Sequence, residues 1–258
     1  MLNERKVYMG NLFHQERLEE GIKELATWLL KSNHTVVLTG AGMDTESNIP
    51  DFRGKNGWWR NIDPRTVANI DAFYENHELF HEFYKMRLEL LEGIVPHQGH
   101  YILAKLEQEG LIKSIATQNV AGLHDAAGSQ NVHELHGSIR SIRCNSCKHQ
   151  AVLEDFLNKK GCSKCGRDAL RPNVVLFGES LPSDAWDASF HEIEKSDLLI
   201  VIGTSLEVYP VNQLPMAAKG KTVLINNEDI GSNYSFNLRL IANAKEVLEG
   251  LDKYLYNR

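Results

Sequence analysis

Short apolar runs that end in glycine, asparagine or serine alternate with helix-period segments along most of this chain. That alternation sets the fold class. The runs are HTVVLTGAG, IKSIATQN, the shorter NVHELHG, PNVVLFGE, LLIVIGTS and KTVLINNE. Around them, ERLEEGIKELATWLLKSN places Leu18, Ile22, Leu25 and Leu29 at helical spacing, and HELFHEFYKMRLELLEG places Leu79, Phe83, Met86 and Leu90 on one face. GHYILAKLEQEGL, ASFHEIEKSD and NAKEVLEGLDKYL read as further helices. Strand then helix, repeated, predicts an α/β chain with a parallel sheet and helices on both faces. The Val-, Ile- and Leu-rich runs suit strands buried on both sides. Polar groups gather at their carboxyl ends: Gly40-Ala41-Gly42, Gln118-Asn119, Gly178-Glu179, Gly203-Thr204-Ser205 and Asn226-Asn227. Open α/β sheets bind ligands there.

Two stretches break the alternation. Residues 55–90 read as a polar loop and a helix, and residues 141–171 hold all four cysteines. Both are expected to pack as a smaller domain (55–90 and 141–171) beside a large one (1–54, 91–140 and 172–258). The cysteines form two C-x-x-C pairs, Cys144 with Cys147 and Cys162 with Cys165. Four thiolates at this spacing select a tetrahedral zinc ion, and a closed four-sulfur site leaves no position for water, so the zinc is expected to be structural.

A net charge of −6 argues against non-specific nucleic-acid binding. The N-terminus lacks the apolar core of a signal peptide, and the most apolar run, DLLIVIGTSL, is too short to span a bilayer. No membrane partner and a cytoplasmic location are expected. Oligomeric state is left open.

The segments GAGMDTESNIPDFRG, TQNVAGLH, ELHGSI, the paired C-x-x-C, RPNVVLFGE, GTSLEVYP and VLIN occur in this order. Together they resemble the sirtuin family of NAD-dependent protein deacylases, over roughly residues 20 to 250. The resemblance implies a Rossmann-like large domain and a small domain of helices plus zinc, with NAD and an acyl-lysine protein or peptide meeting in the cleft. It implies that Gly40, Ala41 and Gly42 receive the pyrophosphate, and that Phe52 and Arg53 sit in the cofactor-binding loop. Gln118 and Asn119 would face the nicotinamide ribose, and Gly203, Thr204, Ser205 and Asn226 would wall the adenosine site. His136 would be the general base and Asn119 its catalytic partner. Val174, Phe177 and Gly178 would pair with the peptide as an added strand. Products would be free lysine, nicotinamide and O-acyl-ADP-ribose.

Tyr84 and Arg87, one helical turn apart, resemble the pair by which one class of the family takes succinyl- and malonyl-lysine. Ala68 falls where that class keeps a small residue. An arginine can hold a distal carboxylate bidentately. Three residues depart from the family pattern. Asp44 stands where the family has serine, and a carboxylate there should repel phosphate unless it is paired or turned away. Asn48 replaces a glycine. Ala121 replaces an aspartate that holds the nicotinamide amide. These departures keep alternatives open: an NAD- or ADP-ribose-binding module with weak or no deacylase activity, or an enzyme of ADP-ribosyl transfer or NAD hydrolysis.

Overall fold

Side chains alternate between the two faces of a strand, so a sheet covered on both sides needs two apolar sets at period two. In the computed structural model these sets are explicit. Val37, Ile115, Ile200 and Val223 join one buried apolar cluster. Val36, Leu38, Ala116, Leu199, Val201 and Leu224 join another. The structure describes residues 2–49, 64–231 and 234–256, with side chains from Gln15 in the first helix and from Thr66 in the second.

The strands of the large sheet are β1 (Thr35–Thr39), β2 (Ser114–Thr117), β3 (Val132–Glu134), β7 (Leu198–Ile202), β8 (Lys221–Asn226) and β9 (Leu238–Ile241). Between β3 and β7 come β4 (Gly137–Cys144), β5 (Gln150–Ala151) and β6 (Leu170–Val174). The large sheet has the order β3-β2-β1-β7-β8-β9 and every pairing in it is parallel. The order reverses between β1 and β7, which opens a crevice at their carboxyl ends. The helices are α1 (Leu2–Lys31), α2 (Pro64–Val67), α3 (Ile70–Glu75), α4 (His77–Leu90), α5 (Gln98–Gln108), α6 (Leu123–Ala126), α7 (Leu153–Leu157), α8 (Ser183–Lys195), α9 (Leu214–Ala217) and α10 (Ala244–Tyr256). Leu18, Ile22, Leu25 and Leu29 of α1 are buried with Leu103 and Leu106 of α5 and Val247, Leu248 and Leu251 of α10.

Three sequence expectations are corrected. PNVVLFGE does not join the parallel sheet: β6 pairs antiparallel with β4 in a separate three-stranded sheet, β5-β4-β6. Its apolar residues face the small domain's core instead, with Val174 and Leu176 beside Phe80, Tyr84 and Phe156. The buried stripe of α4 is Phe80, Phe83, Tyr84 and Leu88, while Leu79, Met86 and Leu90 are exposed. The reason is aromatic: Phe80 packs edge-on to Phe73 of α3 at 5.1 Å and against Tyr84 at 4.6 Å, which turns that face inward. Finally, β9 and β4 were not anticipated, and α1 begins well before Glu16.

Arg171 of β6 is fully buried yet satisfied. It donates to Glu179 through both terminal nitrogens, at 3.0 and 2.7 Å, and to the Val174 carbonyl at 2.6 Å. The Glu179 carboxylate also accepts the Leu176 amide at 2.9 Å. This bidentate pair locks the turn after β6.

Candidate functional site

Two strand-end turns meet at the crevice. The Gly40 amide donates to the Ile202 carbonyl at 2.9 Å, and the Gly42 amide donates to Gly203 at 2.8 Å. A Cβ on Gly42 would lie 2.8 Å from the Gly203 Cα, and Gly203 itself sits at φ +63°. The glycines therefore serve the close approach of β1 and β7. They are not a cradle of free donors, because the amides of Gly40, Gly42, Met43 and Asp44 are all bonded within the turn or to β7. Phe52 and Arg53 lie outside the described residues.

The floor of the crevice comes from the end of β2. The Gln118 side-chain amide donates to the Thr204 hydroxyl at 3.0 Å, so β2 is tied across β1 to the end of β7. Asn119 is held at both ends. Its backbone amide donates to the Thr117 hydroxyl at 3.0 Å, and its side-chain nitrogen donates to the Gly40 carbonyl at 2.9 Å and the Asp44 carboxylate at 2.8 Å. Asp44 is only 3% exposed and also accepts from the His100 Nε2 at 3.2 Å. The carboxylate is thus paired and turned inward, which removes the expected repulsion toward a phosphate. Asn48 occupies the left-handed region at φ +63°, where the glycine it replaces would also sit readily.

His136 stands at the turn between β3 and β4, with Nδ1 3.0 Å from the Gln118 carbonyl. A carbonyl only accepts, so Nδ1 carries the proton and Nε2 keeps its lone pair. Burial lowers the His136 pKa, against the raising effect of the Gln118 carbonyl. The imidazole is therefore neutral at pH 7, as a general base must be.

Behind Asp44, His97 packs edge-on to His100 and His100 packs tilted against His124, with ring centroids 4.4 and 5.0 Å apart. Burial is the first cause that lowers His97 to about 4 and His124 to about 3. Both values lie below the free imidazole's, so the unfolded chain binds the proton first. Their contribution to stability is complete above about pH 6.5 and is lost as pH falls toward 4, at no more than about 1.4 kcal/mol per pH unit for each ring. Urea unfolding between pH 7 and pH 4.5 should show the midpoint falling across this window. A flat midpoint would contradict it.

Several of the residues expected to meet the acyl group or peptide gather in one apolar cluster. Ala68, Tyr84, Ala121 and Val174 are buried together, with Val120 and Ile70 against them. Ala121 is 4% exposed, and its carbonyl accepts from Arg140 Nε at 2.8 Å. The Arg87 guanidinium carbon lies 5.8 Å from the Tyr84 ring centroid. Burial lifts the Tyr84 phenol to about 12 and lowers the Arg87 pKa. Of the three residues expected to meet a peptide, Val174 is paired with Gly137 inside the small sheet. Phe177 donates to Ala68 at 2.9 Å and accepts from Ile70 at 3.1 Å. Gly178 is the one whose backbone groups take no bond among the described residues.

Asn226, at the end of β8, aligns one step beyond the Ile202 and Ile225 pair, and its side chain donates to the Glu228 carbonyl at 2.9 Å. Beside it opens a cavity of about 410 Å³ lined by Gln15 and Leu18 of α1, Asn227, the segment 241–243 and Glu246 of α10. A nucleoside fits that volume. The sequence reading missed this wall, although the alternation in NLRLIAN was a signal for the strand that builds it.

The four cysteines converge. Cys144 Sγ lies 3.7 Å from Cys165 Sγ, Cys147 Sγ lies 3.6 Å from Cys162 Sγ, and all four lie within 4.8 Å of one another. Both pairs sit in matching turns. The Lys148 amide donates to Cys144 at 2.9 Å and the Gly166 amide to Cys162 at 2.8 Å, with φ +60° and +69°. A tetrahedron of sulfurs about 2.3 Å from zinc has edges of about 3.8 Å, so the donors fit that ion.

Among the described residues no helix is long and apolar enough to cross a membrane. A family model described as the Sir2 family matches residues 40–210. A protein of Oceanobacillus iheyensis named NAD-dependent protein deacetylase is 47% identical over 78% of this chain and 86% of its own. The NAD-dependent protein deacylase 2 of Archaeoglobus fulgidus is 40% identical over 90% of this chain and 94% of its own. A solved structure described as Sir2 with p53 peptide and NAD+ superimposes with a TM-score of 0.83 at 35% identity, covering 92% of this chain and 99% of that one.

Proposed function

This chain belongs to the Sir2 family and is an NAD-dependent protein deacylase; we propose that its preferred acyl groups end in a carboxylate. Its substrate is an acyl-lysine peptide or protein. The observation that supports the finer reading is Arg87, half-buried one turn after Tyr84 on α4, with Tyr84 in the buried cluster that also holds Ala68. A guanidinium can hold a succinyl or malonyl carboxylate bidentately, and an acetyl methyl offers it no such group.

The same reading gives the other residues their roles. NAD supplies an electrophilic ribose carbon as nicotinamide departs. Asn119 orients the ribose hydroxyls, and His136 takes a proton from one of them at Nε2. Gln118 fixes the His136 tautomer through its carbonyl and the crevice width through its side chain. Gly203, Thr204, Ser205 and Asn226, with the cavity at the end of β9, would hold the adenosine. Gly40, Ala41 and Gly42 would line the pyrophosphate path, and Gly178 would pair with the peptide backbone. A large and a small domain are supported by the three apolar clusters: two flank the large sheet, and the third draws mainly on residues 67–91 and 139–176, so β4 and β6 go whole with the small domain rather than dividing at 140/141 and 171/172, while 54/55 lies outside the described residues.

Acetyl-, succinyl- and malonyl-lysine peptides of one sequence, incubated with NAD and read by mass spectrometry, test this. Succinyl or malonyl peptide should turn over faster than acetyl. Arg87→Met should lower kcat/KM for the acidic acyl groups by about 100-fold and change the acetyl value by less than about 3-fold. Equal losses on all three acyl groups would overturn the acidic preference. Loss of NAD without deacylated peptide would instead support ADP-ribosyl transfer or NAD hydrolysis.

A further inference from the structure

We propose that Asp44 is a positioning residue that sets which way the Asn119 carboxamide faces. The Asn119 side-chain nitrogen has two protons and two partners, the Gly40 carbonyl at 2.9 Å and the Asp44 carboxylate at 2.8 Å. Both partners are acceptors only. The amide nitrogen must therefore face inward, since the flipped amide would set its oxygen against two other oxygens. Asn119 Oδ1 is left toward the crevice as a fixed acceptor. A hydroxyl at position 44 would not make this choice, because it donates as readily as it accepts.

Asp44 can do this because it is itself held. The His100 Nε2, on a ring with no exposed surface, lies 3.2 Å from the same carboxylate oxygen. A carboxylate only accepts, so that nitrogen carries the proton. The backbone of Asn119 is fixed from below by the Thr117 hydroxyl at 3.0 Å, which the Thr39 hydroxyl meets at 2.8 Å. Asn119's side-chain nitrogen and backbone N–H are thus committed to the fold, which leaves Oδ1 as the side-chain atom available to a ligand. A fixed acceptor suits a hydroxyl donor, and the ribose that loses nicotinamide offers two. Because Ala121 has no polar side chain to hold the nicotinamide amide, more of the ribose's orientation falls on Asn119 in this chain. The inference rests on the deacylase reading for that last step only.

Asp44→Asn keeps the shape and removes the acceptor-only character. Two readouts test the idea. In ligand-free protein, the side-chain NH₂ resonance pair that disappears in Asn119→Ala identifies Asn119, and that pair should shift in Asp44→Asn and in Asp44→Ser. In turnover of acyl peptide, Asp44→Asn should lower kcat by about 10-fold, with KM for NAD within about 2-fold. In an Asn119→Ala background the same change should have less than about a 2-fold effect, since both act through one amide. An Asn119 resonance pair that stays put in both variants overturns the proposal. So do multiplicative losses in the double variant, or an effect confined to KM. If Asp44→Asn fails to fold, Asp44→Ser supplies both readouts. If the unaltered protein turns over no acyl peptide, the deacylase reading fails, while the resonance test still decides the role of Asp44.

Discussion

Replacing His136 with alanine should cut acyl-peptide turnover by about 10²- to 10⁴-fold while leaving ADP-ribose binding within about 2-fold. The split follows from where the imidazole stands. Its Nδ1 is spent on the Gln118 carbonyl at 3.0 Å, so its structural bond is local and its Nε2 is left for the proposed proton transfer. Gln118 keeps its second tie to Thr204 at 3.0 Å without the histidine, so the crevice should survive the substitution. The pH profile gives a second check. Burial holds His136 below the ordinary histidine value, and the active form is the neutral one. Activity should therefore be flat from about pH 7 upward and fall only as pH drops below about 6.5, through the folded pKa. An acid limb centred above pH 7 would show that the proton acceptor is another group, and retention of turnover in His136→Ala would remove the residue from the mechanism.

How much of this was readable beforehand depends on whether a signal is local. The ends of β1, β2, β7 and β8 were legible because each apolar run stops at a glycine or a side-chain amide, and Gly40, Gln118, Gly203 and Asn226 all sit there. The cysteine module was legible because metal geometry acts over four residues at a time. The inward face of α4 was not: Leu79 and Met86 compete with Phe80 and Phe83 for the buried stripe, and only contact with Phe73 decides it. β6 looked like a sixth parallel strand for the same reason, since nothing in Val174 or Val175 says which sheet will accept them. Asp44 is the clearest case. In the sequence it is a misplaced charge beside glycines. Its pairing needs Asn119, 75 residues away, and His100, 56 residues away, which no local pattern announces.

Stripping zinc should be the largest single perturbation available, and its effect should be confined to one part of the molecule. Structural zinc sites in small modules contribute on the order of 10 kcal/mol or more to folding. Cys144 and Cys162 are themselves buried in the cluster that contains Phe156, Leu170, Tyr84 and Ala68. Four uncoordinated thiols cannot hold the two matching turns together, so residues 141–171 lose their fixed packing and the acyl-side wall loses its backing. The large sheet has no such dependence, because the clusters on its two faces contain no cysteine. A chelator, or the Cys147→Ser and Cys162→Ser double variant, should therefore abolish acyl-peptide turnover and make the remaining thiols reactive. Most of the circular-dichroism signal of the parallel sheet and its helices should remain, with a separate, later thermal transition. Cooperative loss of all structure in one step would show that the two parts do not fold independently. Unchanged turnover in zinc-free protein, confirmed by metal analysis, would show that the four-sulfur site does not brace the crevice at all.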